Sequence, residues 1–202
     1  MKKVYKLIVL FAVVLGGVSS CCEKEDKNES LETTTPGIEN STNGLKLAEG
    51  GEPIDCKDLE KFLPIAIEGY NKEDPEGSIL NMQGFSVSSA TAEYTSANGD
   101  YIRIFILDYN AAPSVYKTET AMWGKGITID SDDEYAKSFS LNNKLSGWES
   151  FEKINNKANV VVGVGNRLLI TIEANNQSDA EKSKDILALM NLKSMVMAIN
   201  RE

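Results

Sequence analysis

The chain has 202 residues, 30 acidic against 21 basic side chains, three cysteines and no histidine. Its net charge of −9 argues against nucleic acid and against an anionic membrane surface as partners. The missing histidine excludes Ser-His-Asp and Cys-His catalysis, histidine-containing zinc sites and the commonest general base near neutral pH.

Met1 to Ser20 has the layout of an export signal: Lys2, Lys3 and Lys6, an uncharged stretch from Leu7 to Val18, then the small residues Ser19 and Ser20. A spanning helix needs roughly 20 apolar residues, so this shorter run reads as the hydrophobic part of a leader rather than a permanent anchor. The residues Val18-Ser19-Ser20-Cys21 resemble the lipobox of bacterial lipoproteins. The resemblance implies diacylglycerol transfer to the Cys21 sulfur, cleavage before Cys21 and acylation of its new amino group. Two or three acyl chains, at ~0.8 kcal/mol per buried CH₂, anchor far better than one. The expected partner is therefore the lipid bilayer, through acylated Cys21, and the expected location is the cell envelope, with the outer membrane favoured.

Glu23, Lys24, Glu25 and Asp26 follow that cysteine directly. The acidic run resembles the surface-export signal of lipoproteins in Bacteroidetes, with a solvated spacer as the alternative, so the choice between periplasmic and surface face stays open. The segment from Glu23 to about Gly51 is rich in Glu, Lys, Asn, Ser and Thr and has few apolar residues. It cannot bury enough surface to offset its chain entropy and is expected to be a disordered stalk, with a reach on the order of 30 Å. Cys22 sits at the membrane end of this stalk, which favours no structural disulfide with Cys56, although an oxidising compartment would permit one. The expected organisation is a lipoprotein signal peptide over 1–20, a lipidated N-terminus and stalk over 21–51, and one globular domain over 52–202. Loss of the leader's three lysines leaves 18 basic against 30 acidic residues, a balance of −12.

Within the domain, "IDCKDLEKFLP" predicts a short helix capped at Asp55 and stopped by Pro64, with Leu59, Phe62 and Leu63 facing inward. Two strands flank Asn98-Gly99, and in the second of them Ile102, Ile104 and Ile106 alternate with Tyr101, Arg103, Phe105 and Leu107. "NAAPSVYKTETAMWGKG" predicts a helix with Pro113 in its first turn and a core-facing stripe of Val115, Tyr116, Met122 and Trp123. Short strands are expected around Ile127 to Ile129, Tyr135 to Leu141 and Trp148 to Lys153. A second hairpin joins "NVVVGV" to "RLLITIEA" through Gly165-Asn166. Ser178-Asp179-Ala180-Glu181 fits a capping box that opens a last helix, broken near Asn191. Hairpins make the sheet antiparallel, so the class is α+β, with about six or seven strands and two or three packed helices in a single domain.

From about Leu59 to Ile199, "FLP…GY", a strand pair ending at Asp108, Gly147-Trp148 and the last hairpin with its C-terminal helix resemble the PsbP/Mog1-like architecture. The same order resembles uncharacterised bacterial lipoproteins. The resemblance implies an antiparallel sheet with helices packed on it and carries no functional residue across.

Four features bear on chemistry. Gly163-Val164-Gly165 lacks the third glycine and following helix of a dinucleotide fingerprint, and reads as a hairpin turn. Asp130 to Glu134, "DSDDE", offers oxygen ligands for calcium but lacks an EF-hand's spacing, and reads as a solvated loop. Glu93, Asp100 and Asp108 are candidates for an acid–base carboxylate pair, with solvated strand-end carboxylates as the preferred reading. Trp123, Trp148, Tyr70 and Tyr94 either line a pocket or fill core. No catalytic residue, cofactor or metal is assigned. The expected function is a non-enzymatic, lipid-anchored binding or accessory module for an envelope protein or small ligand, an immunity-type lipoprotein being one version. The alternative is a carboxylate-dependent hydrolase acting on envelope or glycan material.

Overall fold

The computed structural model describes residues 51–82, 85–110, 112–141 and 145–199. Residues 1–50, where a leader, the lipidated Cys21 and a stalk are expected, lie outside the described residues. Chain order is α1 (Cys56–Glu60), β1 (Tyr70–Lys72), β2 (Glu76–Met82), β3 (Phe85–Ser96), β4 (Tyr101–Asp108), α2 (Pro113–Thr120), β5 (Thr128–Asp130), β6 (Glu134–Leu141), β7 (Leu145–Glu152), β8 (Lys157–Val164), β9 (Leu168–Ala174), α3 (Glu181–Leu189) and α4 (Leu192–Ile199). The nine strands form one antiparallel sheet in the order β1-β3-β4-β9-β8-β7-β6-β5, with β2 also paired to β3. The α+β class holds in one domain, but among the described residues the sheet exceeds the six or seven strands expected and the helices number four.

The sheet has one dry face and one half-wet face, as antiparallel sheets commonly do. On the dry face Ile102, Ile104 and Ile106 of β4 stand in register with Ala174, Ile172 and Ile170 of β9, and these with Ala158, Val160 and Val162 of β8; all are fully buried. Helices α1, α3 and α4 pack there. Asp55 caps α1 by accepting the Lys57 N–H at 2.8 Å, as expected, and Leu59 and Leu63 face inward while Phe62 is half-buried. Tyr94, fully buried on β3, donates its hydroxyl to the Pro64 carbonyl at 2.6 Å and fixes the chain leaving α1.

Several expectations need correction. The Gly165-Asn166 turn has both residues at positive φ (63° and 56°) and the Arg167 N–H donating to the Val164 carbonyl, the two-residue hairpin turn anticipated. At Asn98-Gly99 only Gly99 has positive φ (86°); the Gly99 N–H donates back to the Ser96 carbonyl, so the hairpin closes through a longer loop. Met122 is 51% exposed, which leaves Tyr116 as the one fully packed member of the α2 stripe. The α3 start is not a capping box through Ser178: Asp179 accepts the Glu181 N–H at 2.9 Å, and the N-cap position is Ala180. The break near Asn191 is real, and its side chain accepts the Ser194 N–H at 3.0 Å to open α4. Finally, Cys56 is disulfide-bonded and fully buried, against the expectation of no structural disulfide.

Four tyrosines make a testable consequence of this packing. Burial pushes Tyr94, Tyr109 and Tyr116 up to about 12, and burial followed by the Glu173 hydrogen bond does the same to Tyr101. A folded-state value raised above the ~10 of an unfolded tyrosine gives stability that is complete below pH ~10 and lost as pH rises toward ~12. In an alkaline titration, tyrosinate absorbance from these four should therefore rise together with loss of the circular dichroism signal. Ionisation near pH ~10 with the fold intact would contradict the packing.

Candidate functional site

The three carboxylates singled out by sequence are not brought together. Asp108 ends β4 on the dry face and is fully buried, not solvated as expected. Its Oδ1 and Oδ2 each accept an Arg167 guanidinium N–H at 2.8 Å, a bidentate pair across the β4–β9 ladder. The same carboxylate accepts the backbone N–H groups of Ile54 at 2.7 Å and Asn110 at 2.9 Å. Asp108 thus ties together the segment entering the domain, the end of β4 and the β8–β9 turn. Beside it lies a cleft of about 600 Å³ lined by Glu52, Asn110, Gly165, Asn166, Arg167 and Ile199. Both polar ends of the ion pair are spent on structure. Asp100, before β4, accepts the Asn176 amide at 2.9 Å at the opposite end of that strand, and Glu93 is paired with Arg103.

The aromatics divide between the faces. Tyr94 and half-buried Tyr70 belong to the dry face. Trp148 projects from β7 on the other face, opposite Val161, while Trp123 beyond α2 lies against Gly163 on that same face. In the "DSDDE" loop Asp130 is paired with Lys153 at 2.8 Å, and among the described residues no cluster of histidine, cysteine and acidic side chains is placed to hold a metal ion. Gly163-Val164-Gly165 runs from β8 into a hairpin turn, not toward a helix.

Sequence reasoning missed Glu149. It sits on the dry face of β7, in register with Lys137 of β6 and Val160 of β8, and is 4% exposed. Lys137 Nζ lies 3.2 Å from Oε1, and Lys184 of α3 lies 3.2 Å from Oε2. The second contact is an ion pair without hydrogen-bond alignment, because Lys184 donates at 2.5 Å to Glu181 instead. The hydrogen bond and field of Glu149 hold Lys137 above the ordinary lysine value. Burial pushes Lys184 down, but its hydrogen bond to Glu181 and the negative charges of Glu181 and Glu149 more than offset this and leave it raised. A cleft of about 450 Å³ opens here between the start of α3 and strands β5 to β7, lined also by Asp130, Tyr135, Lys153 and Asp179. The alternation of Gly147, Glu149 and Phe151 was the available signal.

The half-wet face offers a broader surface. One register row crosses five strands as Thr91, Phe105, Thr171, Val161 and Trp148, and every member is half-buried. The next row runs Glu93, Arg103, Glu173, Asn159 and Ser150. Its charges are knitted by Arg103–Glu93, by Lys157–Glu173 at 2.8 Å and by the Tyr101 hydroxyl donating to Glu173 at 2.8 Å. Asn159 Oδ1 is buried in that row without a hydrogen-bond partner. The two rows thus set Phe105, Val161 and Trp148 beside a row whose charges are ion-paired. No protein-family model, curated protein or solved structure matches the chain.

Proposed function

We propose that the protein is a lipid-anchored module of the cell envelope, held by Cys21 in the outer membrane, that works by binding a protein or small ligand rather than by catalysis. The lipobox carries the address. The observation that supports binding is the half-buried row Thr91, Phe105, Thr171, Val161 and Trp148, a strip of aromatic, aliphatic and threonine side chains across five strands, on the face opposite α1, α3 and α4 where Trp123 also lies. The acidic mature balance of −12 selects against nucleic acid. An immunity-type lipoprotein that neutralises an exported toxin is one form this reading takes.

The test is affinity capture from detergent-solubilised envelope with the intact lipoprotein and with Thr171→Arg. Thr171 sits mid-row, so arginine adds bulk to the strip without removing packing from the dry face. A partner recovered by the wild type and lost by a folded Thr171→Arg is the expected result. Equal recovery by both would remove this face from the function.

One observation favours the second reading, a carboxylate-dependent hydrolase of envelope or glycan material: Glu149 and Glu181 share Lys184 at the edge of the cleft beneath α3. That arrangement supplies two carboxyl groups of different exposure, the starting condition for dividing acid and base roles.

A further inference from the structure

Strand β2 is a sheet edge built without the usual protection. It pairs with β3 alone, and among the described residues no strand lies beyond it. The register runs without a bulge from Glu76 opposite Thr91 to Met82 opposite Phe85. In such a ladder alternate residues turn their N–H and C=O groups away from the paired strand, so the outer side of β2 is a row of backbone groups unpaired within the sheet. Edges are ordinarily blunted by shortness, proline, lysine or a bulge. The opposite edge obeys this, since β5 has three residues. Strand β2 has seven, with no proline or lysine and a single charge at Glu76. Its side chains add apolar contact on both sides of the sheet. Ile79, opposite Ser88, is 43% exposed on the dry side, and Leu80, opposite Val87, is 52% exposed on the other.

The charge beside this edge selects its occupant. Glu73, Asp74 and Glu76 are exposed where β2 begins. Asp74 and Glu76 have no ion-pair partner among the described residues, and the α1 lysines Lys57 and Lys61 are already paired with Glu60 and Asp58. A second copy of the chain supplies no cation there. Self-pairing about a two-fold axis at Ile79 sets Glu76 opposite Met82 of the other copy, and two chains of net charge −9 repel.

We infer that β2 is an interaction edge separate from the half-wet strip, and that it takes a strand from another protein: an extended segment with an apolar centre and lysine or arginine at its C-terminal end. The segment adds antiparallel, the better-bonded arrangement, so its C-terminal end meets Glu73, Asp74 and Glu76. Main-chain hydrogen bonds supply the affinity, while Ile79 and Leu80 read alternate side chains on the two sides. The carboxylates fix the direction and steer the approach. Neither the lipid anchor nor the half-wet strip is needed for this contact.

The experiment titrates the full chain into two fluorescent nine-residue peptides of alternating threonine and valine, one ending in two lysines and its twin in two glutamates. By fluorescence anisotropy at low salt the lysine peptide should bind about tenfold tighter than its twin, and the gap should narrow at physiological salt. Binding should slow amide exchange in β2 and leave β5 unchanged. Leu80→Lys, at an exposed position away from the dry side, should abolish binding of both peptides. Asp74→Lys/Glu76→Lys should reverse the preference between them. Thr171→Arg should change neither affinity, which separates failure of this edge from failure of the strip. Equal binding of the two peptides, binding of neither, or binding that survives Leu80→Lys would overturn the inference. Dimerisation of the chain that Leu80→Lys abolishes would assign the edge to a second copy and overturn it equally.

Discussion

Replacing Asp108 with alanine should cost about 3–5 kcal/mol, the usual penalty for breaking a buried ion pair from one side. For a domain of this length that corresponds to a fall of roughly 6–20 °C in melting temperature. The reason is the guanidinium left behind. Arg167 is 6% exposed, and its two N–H groups now on Asp108 would remain buried without their carboxylate. The backbone N–H groups of Ile54 and Asn110 would lose their acceptor as well. Asp108→Asn keeps the shape, yet turns one acceptor oxygen into a donor facing Arg167, so it should recover little. The double variant Asp108→Leu/Arg167→Met removes both charges and should regain part of the loss, as hydrophobic replacements of buried pairs commonly do. It should stay below wild type because the Ile54 and Asn110 N–H groups are still unpaired. Thermal unfolding of the three variants decides the matter. Wild-type stability for Asp108→Ala would show the pair to be dispensable.

Asp108 also illustrates how far the sequence could be read. Ile102, Ile104 and Ile106 declared the buried phase of β4, and Asp108 continues that phase by two residues. The period therefore placed it inward, but a carboxylate at a strand end is ordinarily solvated, and nothing local pointed to Arg167 as its neutralising partner. The two hairpins were legible because apolar alternation and positive-φ turn residues lie close together in the chain. Strand β2 was not. Its adjacent Ile79 and Leu80 point to opposite faces and are both substantially exposed, so "EGSILNM" shows no burial period; its pairing comes from β3 and its covering from α1. Glu149 was hidden for a related reason, since its burial depends on lysines from β6 and α3 that only the tertiary fold brings in. The disulfide failed on a different premise. Composition argues against a cross-link at Cys56, yet closing a long loop in a flexible chain carries only a slowly growing entropic cost, so composition alone does not keep Cys56 reduced.

Gly147→Ala should be the most damaging of the single glycine substitutions, and the cause is space rather than backbone freedom. Gly147 has no positive φ; it stands on the dry face of β7 between Phe139 of β6 and Val162 of β8. An added Cβ would collide with the Val161 carbonyl oxygen and meet the Phe139 ring at 2.8 and 3.0 Å. A ring edge can swing aside. The carbonyl cannot move without disturbing the β7–β8 ladder, which holds the Trp148 end of the contact strip in place. The expected cost is about 3 kcal/mol, the upper part of the range for overpacking a tight interior. Gly99→Ala supplies the contrast. It has nothing within 4 Å of the new methyl and a φ of +86°, so its cost is conformational alone, about 1–2 kcal/mol. Adding Phe139→Leu to Gly147→Ala separates the two neighbours: the ring is relieved but the Val161 carbonyl is not, so stability should return only slightly. Full recovery in the double variant would shift the constraint to the ring. The carbonyl's fixed place in the ladder is what makes partial recovery the expected outcome.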